Sequence, residues 1–163
     1  ICLYSLSKAY GFASWRIGYA VIPEALFGAL RKVQDTNVIC ATAISQYAAL
    51  GALQAGPGYC RPYLADMAIV RRQGIEAMKS LEGRASLLPS TGAFYLFVRV
   101  PGYEGNDLDL ARNLIENFGV AVIPGSAFGV NDVCAFRASF GALQSDSAIE
   151  GLDRLVTGLK NLV

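Results

Sequence analysis

Ser5-Leu6-Ser7-Lys8, followed a short loop later by Trp15-Arg16-Ile17-Gly18-Tyr19, is the stretch on which the reading of this chain turns. A lysine stands just past an apolar run, and an arginine lies across the loop from it. A lysine amine condenses with carbonyl compounds, while hydroxyls beside a guanidinium make a phosphate site. The pattern points to an anchor for an aldehyde cofactor that carries a phosphate. An arbitrary lysine at a strand end is a surface residue. Here the apolar strand before Lys8, the hydroxyls of Ser5 and Ser7, and Arg16 after the loop argue for a partly desolvated amine near a second cation. That setting makes a lysine a usable nucleophile and base.

Around this stretch, residues 1 to 5 read as a buried strand, Gly11 to Ser14 as a loop, and residues 17 to 22 as a second strand stopped by Pro23. Short continuous apolar strands suit a mostly parallel sheet covered on both faces. Glu24 to Val33 and about Ile44 to Gln54 have helical spacing. Gly56-Pro57-Gly58 is the clearest boundary signal, separating residues 1–56 from 57–163. After it the periodicity predicts a long helix over roughly Arg61 to Leu81 and strands over Ala93 to Val100, Val120 to Ile123 and Val133 to Ser139. A helix over Asn106 to Phe118 would be capped by Asn106 or Asp107, and the last helix opened by a capping box of Ser147 and Glu150. Residues 57–163 thus read as an α+β domain. Residues 1–56 read as the closing piece of a different, parallel-sheet domain, cut from a larger protein, with apolar surface left exposed where the remainder packs.

Composition narrows the function. The chain has 163 residues, room for one domain or for one and a piece of another. A net charge of +1 leaves no electrostatic footprint for nucleic acid. No apolar run is long enough to cross a bilayer. Cys2, Cys40, Cys60 and Cys134 have no paired spacing, as expected of reduced thiols in a cytoplasmic protein, and no metal site is expected. Histidine is absent, which removes Ser-His-Asp and Cys-His mechanisms from this chain. Acid–base work falls to lysine, tyrosine or a carboxylate, and Lys8 leads that group.

A second candidate is Arg137, which a strand reading places on one face with Val133, Ala135 and Ser139. It is either an edge arginine reaching solvent or a planar fork for a carboxylate. Trp15, Tyr19 and Tyr95 read as packing residues, Tyr95 with the further option of lining an active-site mouth. Gly125-Ser126 is a weak candidate for an anion-binding turn.

Ser5-Leu6-Ser7-Lys8 with Trp15-Arg16-Ile17-Gly18-Tyr19 closely resembles the lysine signature of class I/II aminotransferases, the fold type I pyridoxal-phosphate enzymes. Three more blocks follow in the expected order. Pro89-Ser90-Thr91-Gly92-Ala93-Phe94-Tyr95 looks like the family's small-domain strand entry. Residues 120–129, Val-Ala-Val-Ile-Pro-Gly-Ser-Ala-Phe-Gly, look like its loop near the active site. Phe136-Arg137-Ala138-Ser139-Phe140 looks like the strand bearing its carboxylate-binding arginine.

The resemblance implies an α/β fold, the C-terminal part of a PLP-dependent transferase. Residues 1–56 would end the large parallel-sheet domain, and residues 57–163 would form the smaller α+β domain. It implies that Lys8 holds pyridoxal 5'-phosphate through its amine and moves the substrate proton. Ser5, Ser7 and Arg16 would bind the cofactor phosphate, and Arg137 the substrate carboxylate. Amino acids and 2-oxo acids are the implied substrates, and a homodimer the implied assembly. The family's acidic partner of the pyridine nitrogen lies upstream of the lysine, so the 163-residue chain is expected to lack significant transaminase activity alone. Two other readings stay open. One is a cofactor enzyme of another reaction type, such as a decarboxylase, synthase or C–S lyase. The other is a non-catalytic binding or dimerisation domain derived from the fold.

Overall fold

Two short apolar strands and the turn between them open the chain. In the computed structural model, β1 (Cys2–Ser5) pairs antiparallel with β2 (Gly18–Val21), in the register Cys2↔Val21 to Ser5↔Gly18. Residues 1–81, 83–88, 90–141 and 143–163 are described. They fall into two compact units, Ile1–Tyr63 and Leu64–Val163. The parallel arrangement expected from sequence does not apply to this pair. The chain between the strands is one helical turn and a loop that doubles back, whereas a parallel neighbour needs a crossover running the strand's full length. Gly18 is required where the strands approach, because a Cβ there would lie 2.5 Å from the Tyr4 carbonyl oxygen.

Both strands form where the sequence puts them, but they are exposed rather than buried, Leu3 by 79%. The rest of the first unit repeats the pattern. After Pro23, α2 (Glu24–Asn37) buries no side chain at all. Helix α3 (Ala43–Ala55) buries only Ser45 and Ala49. A 3-10 turn at Gly56–Gly58 ends this run. The one-turn helix α1 (Leu6–Ala9) contributes the single large buried side chain of this unit, Leu6.

The second unit has a core. Helix α4 (Arg61–Lys79) enters it and buries Val70, Gly74 and Met78. A four-stranded antiparallel sheet follows, ordered β3-β4-β6-β5, from β3 (Ser86–Leu87), β4 (Tyr95–Arg99), β5 (Ile123–Pro124) and β6 (Ala135–Ser139). Alternation decides its two faces. Leu96 and Val98 of β4 and Phe136 of β6 are buried in a cluster with α4, α5 (Asp107–Phe118) and α6 (Ser145–Leu162). Tyr95, Phe97 and Arg137 take the other face. The α5 helix starts as its sequence predicts, with the Asn106 side chain accepting from the Asp109 amide at 2.8 Å. It ends on Gly119 in the left-handed region, φ 67°.

Two expectations shift. Helix α6 begins at Ser145 with Gln144 as its N-cap, so Ser147 and Glu150 form no capping box. Glu150 pairs instead with Arg154 one turn on. The strand expected at Val120 to Ile123 is Ile123–Pro124, because the Val120 amide still bonds back to Leu114 at the helix end. Pro89, which opens one of the quoted blocks, lies outside the described residues.

Candidate active site

The first constellation belongs to the hairpin of unit 1. Ser5 leaves β1 in an extended conformation and caps α1, its hydroxyl accepting from the Ser7 amide at 3.2 Å. That bond uses an oxygen lone pair and leaves the O–H free to donate. Lys8 sits in the last turn of the same helix, so Ser5, Ser7 and Lys8 share one tight turn. The β1–β2 register then returns the chain. The Leu6 amide donates to the Ile17 carbonyl at 3.3 Å, just past the end of the ladder, and Arg16 is the next residue back along the loop.

Several contacts fix the intervening loop. The Tyr10 and Phe12 amides both bond the Leu6 carbonyl, and the Trp15 amide bonds that of Phe12. The buried Ser45 hydroxyl, itself accepting from Thr42, donates to the Trp15 carbonyl at 2.8 Å. Arg16 donates through one terminal nitrogen to the Ala13 carbonyl at 2.9 Å. Its backbone lies in the left-handed region, φ 51°, a conformation costing a non-glycine residue about 1–2 kcal/mol. The surrounding bonds hold it there. Trp15 stacks on Phe12 at 5.6 Å, and Tyr19 stacks on its cross-strand partner Tyr4 at 4.9 Å. Both act as packing residues. Lys8 is exposed, so the desolvation inferred from its apolar neighbours is not provided by the chain itself.

The second constellation is on the open face of the unit 2 sheet. Arg137 on β6 lies opposite Phe97 on β4 and Ile123 on β5. Its guanidinium carbon is 5.0 Å from the Tyr95 ring centre and 4.6 Å from that of Phe128. Its Nε is buried and has no hydrogen-bond partner among the described residues. Arg99, on the same face, is paired with Asp132 at 3.0 Å. An edge arginine reaching solvent would not be half-buried between two rings, so the carboxylate-fork alternative fits this placement better.

Sequence reading missed two contributors. One is Phe128, whose signal is an aromatic next to a glycine, Gly129 at φ 80°, which marks a turn that fixes a side chain. The other is Asp107, in sequence an alternative to Asn106 as the α5 cap. Asn106 is the cap, and the Asp107 carboxylate instead accepts from the Ser126 amide at 2.6 Å and its hydroxyl at 3.2 Å. The Gly125-Ser126 turn does bind an anion, and that anion is this side chain. Burial, and after it the Asp107 charge, pushes the Cys134 thiol up to about 11. Among the described residues no cluster of acidic or cysteine side chains could hold a metal. No described helix is long and apolar enough to cross a membrane.

The family model for class I and II aminotransferases matches residues 1–155. The aromatic aminotransferase ISS1 of Arabidopsis thaliana is 35% identical, covering 99% of this chain and 41% of that protein. A probable N-acetyl-LL-diaminopimelate aminotransferase of Bacillus subtilis is 34% identical over 95% of this chain and 39% of its own. The crystal structure of the Rhizobium meliloti aspartate aminotransferase superposes with a TM-score of 0.85 at 30% identity, over 99% of this chain and 42% of that one. The chain therefore spans about two fifths of the length of these relatives.

Proposed function

This chain belongs to the class I and II aminotransferases, and on that footing we propose that the whole protein transfers an amino group between an amino acid and a 2-oxo acid with pyridoxal 5'-phosphate. The observation that carries the reading is the hairpin register, which sets an amine, two hydroxyls and a guanidinium at one end of a strand pair. That donor set fits a phosphorylated aldehyde. Lys8 supplies the amine that holds the aldehyde, and Ser5, Ser7 and Arg16 supply neutral and charged donors for phosphate oxygens. Arg16 spends one nitrogen on Ala13 and keeps the rest of its fork.

When bound, the cofactor supplies the carbonyl for amine exchange and a ring that withdraws electrons from the substrate Cα. The chain's own residues do the rest. The Lys8 Nζ takes the proton from Cα and returns it on the other side of the exchange. Arg137 receives the carboxylate common to amino acid and oxo acid, and its unpartnered Nε is a donor left over for such a group. Residues up to the Gly56–Gly58 turn belong to a cofactor-binding domain and the remainder to a smaller substrate domain. A homodimer in the cytoplasm is the assembly and location this reading carries.

The test uses the full-length protein loaded with cofactor and a panel of amino acids and 2-oxo acids. Amino transfer is expected, with Lys8→Ala losing both turnover and the covalently held chromophore. Arg137→Lys should raise KM for every amino acid. Release of carbon dioxide or of a thiol without amino transfer would instead assign a decarboxylase or lyase. The 163-residue chain alone should show no turnover, since its lysine is solvent-exposed. Robust turnover by that chain would overturn the assignment of the remaining site to other residues.

A further inference from the structure

Arg137 is held by two aromatic faces rather than by an acid, and the chemistry of that choice has a consequence. We propose that Phe128 and Tyr95 are positioning residues that keep the Arg137 guanidinium ready for a carboxylate, and that Asp107 sets Phe128 by latching the turn that carries it. This rests on the reading of Arg137 as the carboxylate-binding group.

A carboxylate partner would fix an arginine just as firmly, but it would also occupy the N–H donors. That is the situation of Arg99, whose fork meets Asp132. A ring attracts the guanidinium through its face and takes up no N–H edge donor. Tyr95 and Phe128, with ring centres 5.0 Å and 4.6 Å from the guanidinium carbon, therefore restrict the side chain while leaving its donors unspent. Fixing the fork in advance removes its ordering cost from ligand binding. The buried Nε, without a hydrogen-bond partner among the described residues, agrees with such an arrangement.

Phe128 is itself fixed from two directions. Phe97, the cross-strand neighbour of Arg137, meets its ring edge-on at 6.0 Å. The 3-10 turn Gly125–Phe128 is tied to the start of α5 by both Asp107 bonds to Ser126. Its first residue is pressed on β6, where a Cβ on Gly125 would lie 2.8 Å from that of Ala135. Asp107 thus acts on Arg137 through a turn and a ring, without touching it.

The experiment compares Phe128→Leu, Phe128→Tyr, Tyr95→Leu, Asp107→Asn and Arg137→Lys in the full-length, cofactor-loaded enzyme. Steady-state kinetics are read beside calorimetric binding of 3-phenylpropionate, a plain carboxylate probe. Phe128→Leu keeps apolar volume but loses the π face. It should raise KM for amino acid and oxo acid alike by roughly three- to tenfold, the range of one exposed to half-buried cation–π contact. The change in kcat should be smaller, and probe affinity should fall by the same factor as KM rises. Phe128→Tyr should restore both, and Asp107→Asn should give a weaker form of the same split. Should Phe128→Leu fail to fold, Tyr95→Leu must show the split. Equal kinetics for the Leu and Tyr variants, or loss of kcat with KM and probe affinity unchanged, would overturn the proposal. Wild-type kinetics for Arg137→Lys would overturn the underlying reading instead, which keeps the two failures apart.

Discussion

Helices α2 and α6 carry the same kind of apolar stripe and end in opposite circumstances. Leu26, Phe27, Leu30 and Val33 of α2 are all exposed, while Leu152, Leu155, Val156 and Leu159 of α6 are buried. The contrast extends to the units that contain them. Unit 1 buries Leu6, Ser45 and Ala49, whereas unit 2 buries a continuous cluster from Val70 to Leu159. A helical stripe records that a helix has a partner. It does not record whether the partner is supplied by neighbouring residues of the same chain. The β1–β2 hairpin makes the same point, since its backbone ladder forms while both faces stay exposed.

The hardest test of this contrast is to delete one ring from each unit. Phe136 is fully buried on the covered face of the sheet. Phe136→Ala should cost about 3–5 kcal/mol, because the cavity cannot collapse between a sheet and packed helices. Phe27 is 60% exposed, and Phe27→Ala in the same chain should stay within about 0.5 kcal/mol. Urea unfolding followed by far-ultraviolet circular dichroism reads both. Equal losses would show that α2 finds a partner the structure does not reveal.

This contrast also explains what was legible in the sequence. Where a residue's setting is made by its near neighbours in the chain, sequence and structure agree. Asn106 caps α5, and the strand expected within Ala93 to Val100 forms over Tyr95–Arg99. Where the setting depends on tertiary neighbours, the reading stopped short. The burial assigned to residues 1–5 required a second layer, which periodicity cannot supply. For the same reason the apolar run before Lys8 is legible in the sequence, while the one-turn helix that carries Lys8 and its exposure to solvent are not. Asp107 and Phe128 escaped because their role is a contact between residues far apart in sequence. The α6 start moved because Ser147 and Glu150 fit a capping box, yet the helix was already under way at Ser145.

Helix caps offer a milder probe of the two units. Asn106 accepts from the Asp109 amide at 2.8 Å and heads a helix whose Leu110, Ala111 and Leu114 are buried. Asn106→Ala should cost about 1 kcal/mol, read as a shift in the urea midpoint with unchanged slope. Ser5 caps a single turn with a 3.2 Å bond in an exposed segment. Ser5→Ala should leave the midpoint unmoved and appear only as faster hydrogen exchange at the Ser7 amide. A global loss from Ser5→Ala would mean that unit 1 unfolds together with unit 2, contrary to their separate packing.

The smallest expected effect comes from the cysteines, which also divide between the units. In unit 1 Cys2 and Cys40 are exposed and Cys60 is half-buried, while Cys134 in unit 2 is half-buried near Asp107. Burial first, and the Asp107 charge second, raise the Cys134 thiol from 9.0 to about 11. Since the thiolate is the reactive form, an aromatic disulfide reagent at pH 8 should modify Cys2 and Cys40 well before Cys134. The same shift gives a stability dependence with a definite sign. Between pH 9 and about 11 the folded chain keeps a proton that the unfolded chain has released. Protonation therefore favours the folded state, fully below pH 9, and this contribution is lost as pH rises through the folded value. Lysines and tyrosines titrate in that window as well, so the measurement is a difference between wild type and Cys134→Ser, which nearly keeps the shape and removes the thiol. Wild type should lose more stability than the variant from pH 9 to 11. Parallel pH curves, or labelling of Cys134 as fast as Cys2, would place this thiol in an environment no different from the open surface of unit 1.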